Sequence, residues 1–142
     1  MRIMSTDALT AEDLEFLARP LHGFLTVAAG PTPPQPRPVW FEATAEGKVQ
    51  LFTEAGSLKV RRLNRDPRAS IVVAAPVGEP EHWVSVAGRV TVEPDGAQEL
   101  CARLGARYWD LDNPTLADQI AQMQAAELLR LVIHPETVRR YA

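Results

Sequence analysis

Residues 51–68 read LFTEAGSLKVRRLNRDPR, and they join an apolar strand through a glycine turn to a short basic helix. A helix start exposes unpaired backbone N–H groups and the positive end of the aligned peptide dipoles. Thr53, Ser57 and Lys59 surround this start, which favours the binding of a phosphate group. Arg37, in the upstream segment RPVWF, could close such a site from the side. The pattern therefore predicts an anchor for a cofactor that carries a phosphate.

Length and composition exclude several classes of protein. A chain of 142 residues has the size of one domain, so we expect a single domain over 1–142. The formal net charge is -3, and a non-specific nucleic-acid binder would need a basic surplus. A lone cysteine excludes an internal disulfide framework and a multi-cysteine metal site, so no metal is expected.

Neither a signal peptide nor a membrane span is expected from the sequence. The first residues lack the apolar core of a signal peptide, and acidic residues follow at Glu12 and Asp13. No apolar run is long enough to cross a bilayer. The sequence therefore predicts a cytoplasmic protein that does not bind membranes.

Strand patterns dominate the chain. We predict strands at 24–29, 38–43, 48–52, 69–75, 83–92 and 128–133, and helices at 10–20, 57–66, 95–108 and 114–126. The run 69–75 is nearly all apolar, as is typical of a strand covered on both faces. Gly88 lies in the middle of a strand pattern and predicts a bulge or a bend. The proline-rich stretch 30–36 predicts a surface hairpin loop.

The order of these elements favours a small antiparallel barrel. Strands and helices do not alternate as in a doubly wound sheet, and no glycine-rich dinucleotide fingerprint follows a strand. A closed or partly open barrel removes exposed sheet edges. Such a barrel has no room inside for a large cofactor, so a cofactor would lie on its wall, in a groove shared with a second copy.

Four blocks of sequence, in this order and spacing, carry a resemblance to a known family. They are RPVWF at 37–41, FTEAGSLK at 52–59, NRDPRAS at 64–70 and VSVAGRV at 84–90. Together they resemble the pyridoxamine 5′-phosphate oxidase-like split β-barrel family. The match spans roughly residues 21–92, and the helices after Asp95 match only in kind.

The resemblance implies a six-stranded antiparallel split β-barrel with peripheral helices. It also implies a homodimer with FMN or the deazaflavin F420 bound between the subunits. By this resemblance, Arg37 and Lys59 are the phosphate-binding pair, and Ser57 is a further phosphate donor. Phe52 and Thr53 form the strand end beneath the ring and the ribityl chain.

The strand 38–41, which contains Val39 and Trp40, would run along the ring and offer backbone groups to its polar edge. Trp83 stands where the true oxidases place a glutamine that reaches across from the other subunit. The C-terminal tryptophan and arginine that hold pyridoxal phosphate in those enzymes have no clear counterpart at 139–142. The resemblance thus argues against a vitamin B6 oxidase.

The choice between the two cofactors depends on two segments. The sequence of residues 59–68 is common in the F420-dependent branch of the family, whereas Arg37 favours FMN. Of the two cofactors, FMN is slightly preferred.

The expected function is hydride transfer to or from a small unsaturated substrate. No nucleophile and base pair is recognisable, so the sequence names no catalytic residue. A flavin or deazaflavin would supply the hydride chemistry, and the protein would supply orientation and electrostatics. The alternatives are a carrier or sensor that binds flavin, F420 or haem without turnover, and a structural dimer with an empty groove.

Each candidate residue also has a simpler interpretation. Ser57 can be a helix N-cap, and Arg37 can protect an edge strand. The arginines of 61–68 can form a solvated basic face. His22, His82 and His134 share no spacing typical of metal ligands. Core packing is the simpler interpretation of three further residues, which are Cys101, Tyr108 and Trp109.

Overall fold

The computed structural model describes residues 3–28 and 30–142. Its strands are β1 Ile3–Thr6, β2 Gly23–Val27, β3 Arg37–Val39, β4 Glu42–Ala43, β5 Val49–Glu54, β6 Arg68–Ala74, β7 Trp83–Glu93 and β8 Leu128–Tyr141. Its helices are α1 Ala11–Leu17, α2 Leu58–Arg65, α3 Ala97–Tyr108 and α4 Pro114–Ala125. No helix in the described part of the chain is both long and apolar enough to cross a membrane.

The strands form one antiparallel sheet that curls into a split barrel. Their order is β3-β2-β6-β7-β8-β5-β4, and β1 pairs with β8 outside this path. The two ends of the path, β3 and β4, are separated in sequence only by Trp40 and Phe41. The sheet must therefore curl until its edges meet at these two residues, which we call the seam. The predicted fold class is confirmed, with eight strands in the described residues instead of six.

The last strand is longer than the sequence predicts. β8 continues to Tyr141, well past the predicted end at Ile133. Pro135 interrupts the apolar pattern, but it lies opposite Gly88 at an irregularity in the β7–β8 pairing. Proline is tolerated at bulges because no ladder hydrogen bond is lost there. The predicted bulge is confirmed, and Gly88 is required because a Cβ would collide with the carbonyl oxygen of His134.

The prediction that 69–75 is covered on both faces is wrong for a single chain. Exposure alternates along β6, and Val72 remains 37% exposed. Its cross-strand neighbour Phe24 is 43% exposed on the same outer face of the sheet. The inner face, by contrast, is fully buried at Ile71 and Val73. An apolar outer face explains why the sequence lacks the alternation of a half-buried strand.

The helix ends follow local capping rules. Thr10 and Asp13 form a capping box at the start of α1. The Ser57 hydroxyl caps α2, and the Asn113 side chain caps α4 with Pro114 in the first turn. Cys101 is fully buried in a small cluster with Ala97, as the core interpretation predicts.

A buried ion pair fastens the N-terminal elements to β8. Arg140 donates to the two carboxylate oxygens of Asp13 at 2.8 and 2.6 Å, and it also donates to the Thr6 hydroxyl at 2.8 Å. Burial by itself raises the pKa of Asp13, but hydrogen bonds from Arg140 and from the backbone of Thr10 outweigh it and bring that pKa below its ordinary value. The pair therefore couples β1 and α1 to the barrel.

Asp13→Asn should destabilise the protein by about 3–5 kcal/mol near neutral pH, because it leaves a buried arginine without its counter-charge. Because the folded state lowers the pKa of Asp13, its contribution is complete above the ordinary aspartate pKa and disappears as the pH falls through the folded value. Urea unfolding as a function of pH should therefore give a flatter acid limb for Asp13→Asn. Asp66→Asn, which breaks an exposed pair with Arg68, is the matched control and should have little effect. Equal losses in the two variants would contradict the coupling.

Candidate functional site

Two adjoining cavities form a groove along the β2–β3 hairpin. The first, the basic cavity, has a volume of about 230 Å³. It is lined by Leu25, Val27, Gln35, Arg37, Thr53, Ser57, Leu58, Lys59 and Arg62. The second, the aromatic cavity, has a volume of about 320 Å³ and is lined by His22, Pro38, Val39, Trp40, Phe52, Lys59 and Met123. Lys59 lines both cavities, which therefore adjoin at its side chain.

The end of β5 and the start of α2 form one wall of the basic cavity. The Thr53 hydroxyl donates to Ser57 Oγ at 3.1 Å, and Ser57 Oγ also accepts from the backbone N–H of Val60 at 3.4 Å. Ser57 is therefore the N-cap that the simpler interpretation predicts. Since both bonds use Ser57 as an acceptor, its own hydroxyl proton stays available to donate into the cavity.

Lys59 carries a charge that no residue in the described part of the chain neutralises. Its side chain is half-buried, and within the described residues no carboxylate oxygen lies within 4.0 Å of its ammonium group. Burial lowers the pKa of Lys59, and no neighbouring anion opposes that shift. Buried charges in proteins are normally paired. An unpaired ammonium at the junction of two cavities is thus suited to a negatively charged ligand.

Two arginines add to the positive charge of the basic cavity. Arg37 lies at its exposed rim, where the guanidinium donates to Gln35 Oε1 at 2.7 Å and to the Pro36 carbonyl at 3.3 Å. Arg62 lies one helical turn after Lys59, and its guanidinium is close to Gly30. Within the described residues neither arginine makes an ion pair. The neighbouring Arg61 is exposed and does not line the cavity.

The aromatic cavity has a rigid wall. The Trp40 ring stacks on Tyr108 with a centroid distance of 5.2 Å and an angle of 4° between the planes. Trp109 meets the same indole edge-on at 4.8 Å. Phe52 and Met123 contribute further apolar surface, with Met123 supplied by α4. This lining suits a flat apolar ring system.

The last turn of α3 fixes the seam and with it Trp40. The Tyr108 hydroxyl donates to the Leu21 carbonyl at 2.7 Å and accepts from the Phe41 N–H at 3.4 Å. The Arg107 guanidinium lies 5.4 Å from the ring centroids of both Phe41 and Tyr108. It also donates to three carbonyls at the end of α1, those of Leu17, Ala18 and Arg19. Tyr108 is therefore half-buried beside the groove rather than in the main core.

Seven of the eight predicted site residues line this groove, namely Arg37, Val39, Trp40, Phe52, Thr53, Ser57 and Lys59. The eighth, Trp83, lines neither cavity of its own chain and stacks on Tyr141 across the β7–β8 pairing at 6.2 Å. Sequence reasoning missed His22 and Met123 as groove residues. His22 carries no motif, and only the strand register places it opposite the seam.

Comparisons with known proteins agree with this fold. The family model described as pyridoxamine 5′-phosphate oxidase matches residues 9–141. A solved F420 reductase is 24% identical with a TM-score of 0.69, and the match covers 87% of this chain and 93% of that one. A FAD-binding protein from Mesorhizobium loti is 18% identical with a TM-score of 0.60, and both chains are covered completely.

The haem storage protein HutZ from Vibrio cholerae is 15% identical with a TM-score of 0.65, and 91% of each chain is covered. No curated protein matches the sequence. At these identities the solved structures show the fold alone, whereas the family model spans nearly the whole chain. The protein therefore belongs to the pyridoxamine 5′-phosphate oxidase-like family of split β-barrels.

Proposed function

We propose that the protein binds a flavin or deazaflavin cofactor in the groove and acts as an oxidoreductase on a small unsaturated substrate. The observation that carries this proposal is the unpaired, half-buried charge of Lys59 between a cation-lined cavity and an aromatic one. A cofactor with a phosphate at one end and a flat ring at the other matches that order. The family membership supports the same class of ligand.

The two cavities of the groove would bind different parts of the cofactor. Lys59, Arg37 and the free proton of Ser57 would hold the phosphate in the basic cavity, with the α2 start contributing its positive dipole end. The ring would lie in the aromatic cavity beside Val39 and Phe52. When bound, the cofactor supplies the hydride chemistry. The protein orients it, neutralises its phosphate and limits water at the ring.

We propose FMN rather than F420 as the cofactor, on the strength of Arg37 at the rim of the basic cavity. F420 carries a further anionic tail beyond its phosphodiester and needs additional cations along its path. The fold similarity to an F420 reductase and the position of Arg62 keep F420 as the competing ligand. The basic cavity by itself accommodates the phosphate of either cofactor.

We propose that the protein is a homodimer whose outer sheet face is the contact. Phe24 and Val72 are neighbours on that face and are 43% and 37% exposed in the single chain. An apolar patch on a sheet typically marks an interaction site. A two-fold dimer would also let Trp83 of one chain complete the groove of the other.

A carrier without turnover is the second candidate function. The similarity in fold to a haem storage protein and the presence of His22 in the aromatic cavity favour haem as its ligand. The absorption spectrum of the purified protein separates these candidates, because flavin, deazaflavin and haem absorb differently. A haem spectrum would contradict the proposed function.

Lys59→Met should weaken FMN binding by about ten- to a hundredfold, because it removes a charge-assisted contact worth about 1.5–3 kcal/mol. The free energy of unfolding without ligand should stay the same or rise, because a half-buried unpaired charge is removed. The chain has only one other lysine, and Lys48→Met is the matched control with the same change of charge outside the groove. Fluorescence titration measures both affinities. Equal FMN affinity in the two variants would contradict the role of Lys59 in phosphate binding and would favour the interpretation of a solvated basic face.

Arg62→Gln should discriminate between the two cofactors. If F420 is the ligand, this variant should weaken F420 binding and make it less sensitive to salt, because Arg62 is the helix arginine that lines the basic cavity. FMN has no tail, so its affinity should fall less, by the loss of one cation near its phosphate. Arg61→Gln, an exposed neighbour on the same helix, is the control. Tight FMN binding with no measurable F420 binding would support FMN, whereas the reverse would overturn it.

Light scattering should give a dimer at micromolar concentration. Val72→Glu should dissociate it, because a carboxylate would be buried without a partner in an apolar contact. Val77→Glu, the same substitution at a fully exposed position in the turn between β6 and β7, is the matched control and should leave the dimer intact. A wild-type monomer that still binds FMN would contradict the dimer.

A further inference from the structure

Lys59 has the surroundings of a reactive amine. Its side chain is half-buried, and neither a hydrogen bond nor an ion pair from a described residue holds its ammonium group. Burial lowers the pKa of Lys59, so more of this amine is neutral at a given pH than at an ordinary lysine. Only the neutral amine attacks a carbonyl group, and desolvated lysines in proteins are typical nucleophiles of this kind.

The cavities beside Lys59 give a small molecule room to reach the amine. Lys59 lines both the basic cavity and the aromatic cavity, whose volumes are about 230 and 320 Å³. The apolar side chains of Leu25, Val27 and Leu58 line the basic cavity as well, and they limit the water in it. The reaction of an amine with an aldehyde releases water, so a site with little water favours the product.

The basic cavity also selects the charge of the molecule that enters it. Arg37 and Arg62 line the cavity, and neither makes an ion pair within the described residues. Their charges attract an anion and disfavour a proton on a neighbouring amine. Ser57 lines the same cavity, and its free hydroxyl proton can be donated to a carbonyl oxygen.

We propose that Lys59, in the protein without cofactor, is a covalent capture site for small aldehydes that carry an anionic group. The arginines bind the anionic group, and the amine adds to the carbonyl carbon, which forms the C–N bond. Loss of water then breaks the C–O bond and leaves an imine. The amine supplies both hydrogens of that water and the aldehyde supplies its oxygen, so no oxidant or reductant is consumed. This activity requires no flavin and goes beyond the proposed function.

Reductive trapping of the full chain with cyanoborohydride measures capture, because it converts an imine into a stable secondary amine that peptide mass spectrometry locates. The probes are para-formylbenzoate and para-formylbenzamide, which share shape and differ by one negative charge. The chain has only one other lysine, Lys48, which lies outside the groove and serves as the internal reference for intrinsic reactivity. Relative to Lys48, Lys59 should be labelled about tenfold faster by the benzoate than by the benzamide, the effect of one charge-assisted contact.

Two substitutions separate covalent capture from the effect of charge alone. Lys59→Arg keeps the positive charge but has no nucleophilic amine, so labelling at this position should be lost while FMN binding is retained in part. Arg62→Gln should reduce the preference of Lys59 for the benzoate over the benzamide. Arg61→Gln, at an exposed position of the same helix, is the control and should leave that preference unchanged.

The rate of labelling at Lys59 relative to Lys48 decides whether the capture site exists. If para-formylbenzoate labels the two lysines equally fast, or if both lysines show the same preference between the two probes, capture at Lys59 is overturned. An unchanged preference in Arg62→Gln would overturn the role of Arg62 in binding the anionic group.

FMN distinguishes a failure of this inference from a failure of the proposed function. FMN should slow the labelling of Lys59 but not that of Lys48, because the phosphate of FMN and the aldehyde compete for the basic cavity. If Lys59 captures the aldehyde but FMN neither binds nor protects it, the proposed function fails and the capture site stands. If FMN binds tightly but Lys59 is not labelled preferentially, the capture site fails and the proposed function stands.

Discussion

The seam at Trp40 and Phe41 is the constraint on which the rest of the structure depends. These two residues join the opposite edges of the sheet, β3 and β4, so the sheet has to curl around its apolar inner face. The strand ladder is interrupted at the seam, and Tyr108 supplies hydrogen bonds there instead. Because α3 must provide Tyr108 and Arg107, the helices after β7 are fastened to the same place. The groove follows the seam, with Trp40 as its wall.

The groove also concentrates positive charge in the basic cavity. The chain has a net charge of -3, yet Arg37, Lys59 and Arg62 meet in one cavity without an ion pair there in the described residues. Desolvation of Lys59 is a cost to the folded state that no ion pair among the described residues offsets. A desolvated charge without a partner destabilises the folded state, and such charges are typically found at functional sites. A bound phosphate would pair with the charge of Lys59, and it would stabilise the folded protein more the more tightly it binds.

Local signals made much of this structure predictable. The cap at Ser57 depends on neighbours in sequence, and the structure confirms it, with caps of the same local kind at Thr10 and Asn113. The mid-strand glycine at position 88 predicted an irregularity that the structure confirms, although its cause is the close approach of the His134 carbonyl in β8. Long-range effects were not predictable in the same way. The extension of β8 past Pro135 depends on its pairing with β7, and the exposure of Val72 depends on which face of the sheet is outer. His22 enters the groove only through the register of β2 with β3.

The most direct test of the central claim is the titration of Lys59 itself. The chain contains two lysines, so a spectrum labelled at lysine Cε contains two signals, which Lys48→Gln assigns. Without ligand, the Lys59 signal should titrate below the ordinary lysine range, because burial lowers its pKa. With FMN bound, the same signal should titrate at higher pH, because an adjacent phosphate favours the charged ammonium. A Lys59 titration that is ordinary and does not respond to FMN would contradict the account.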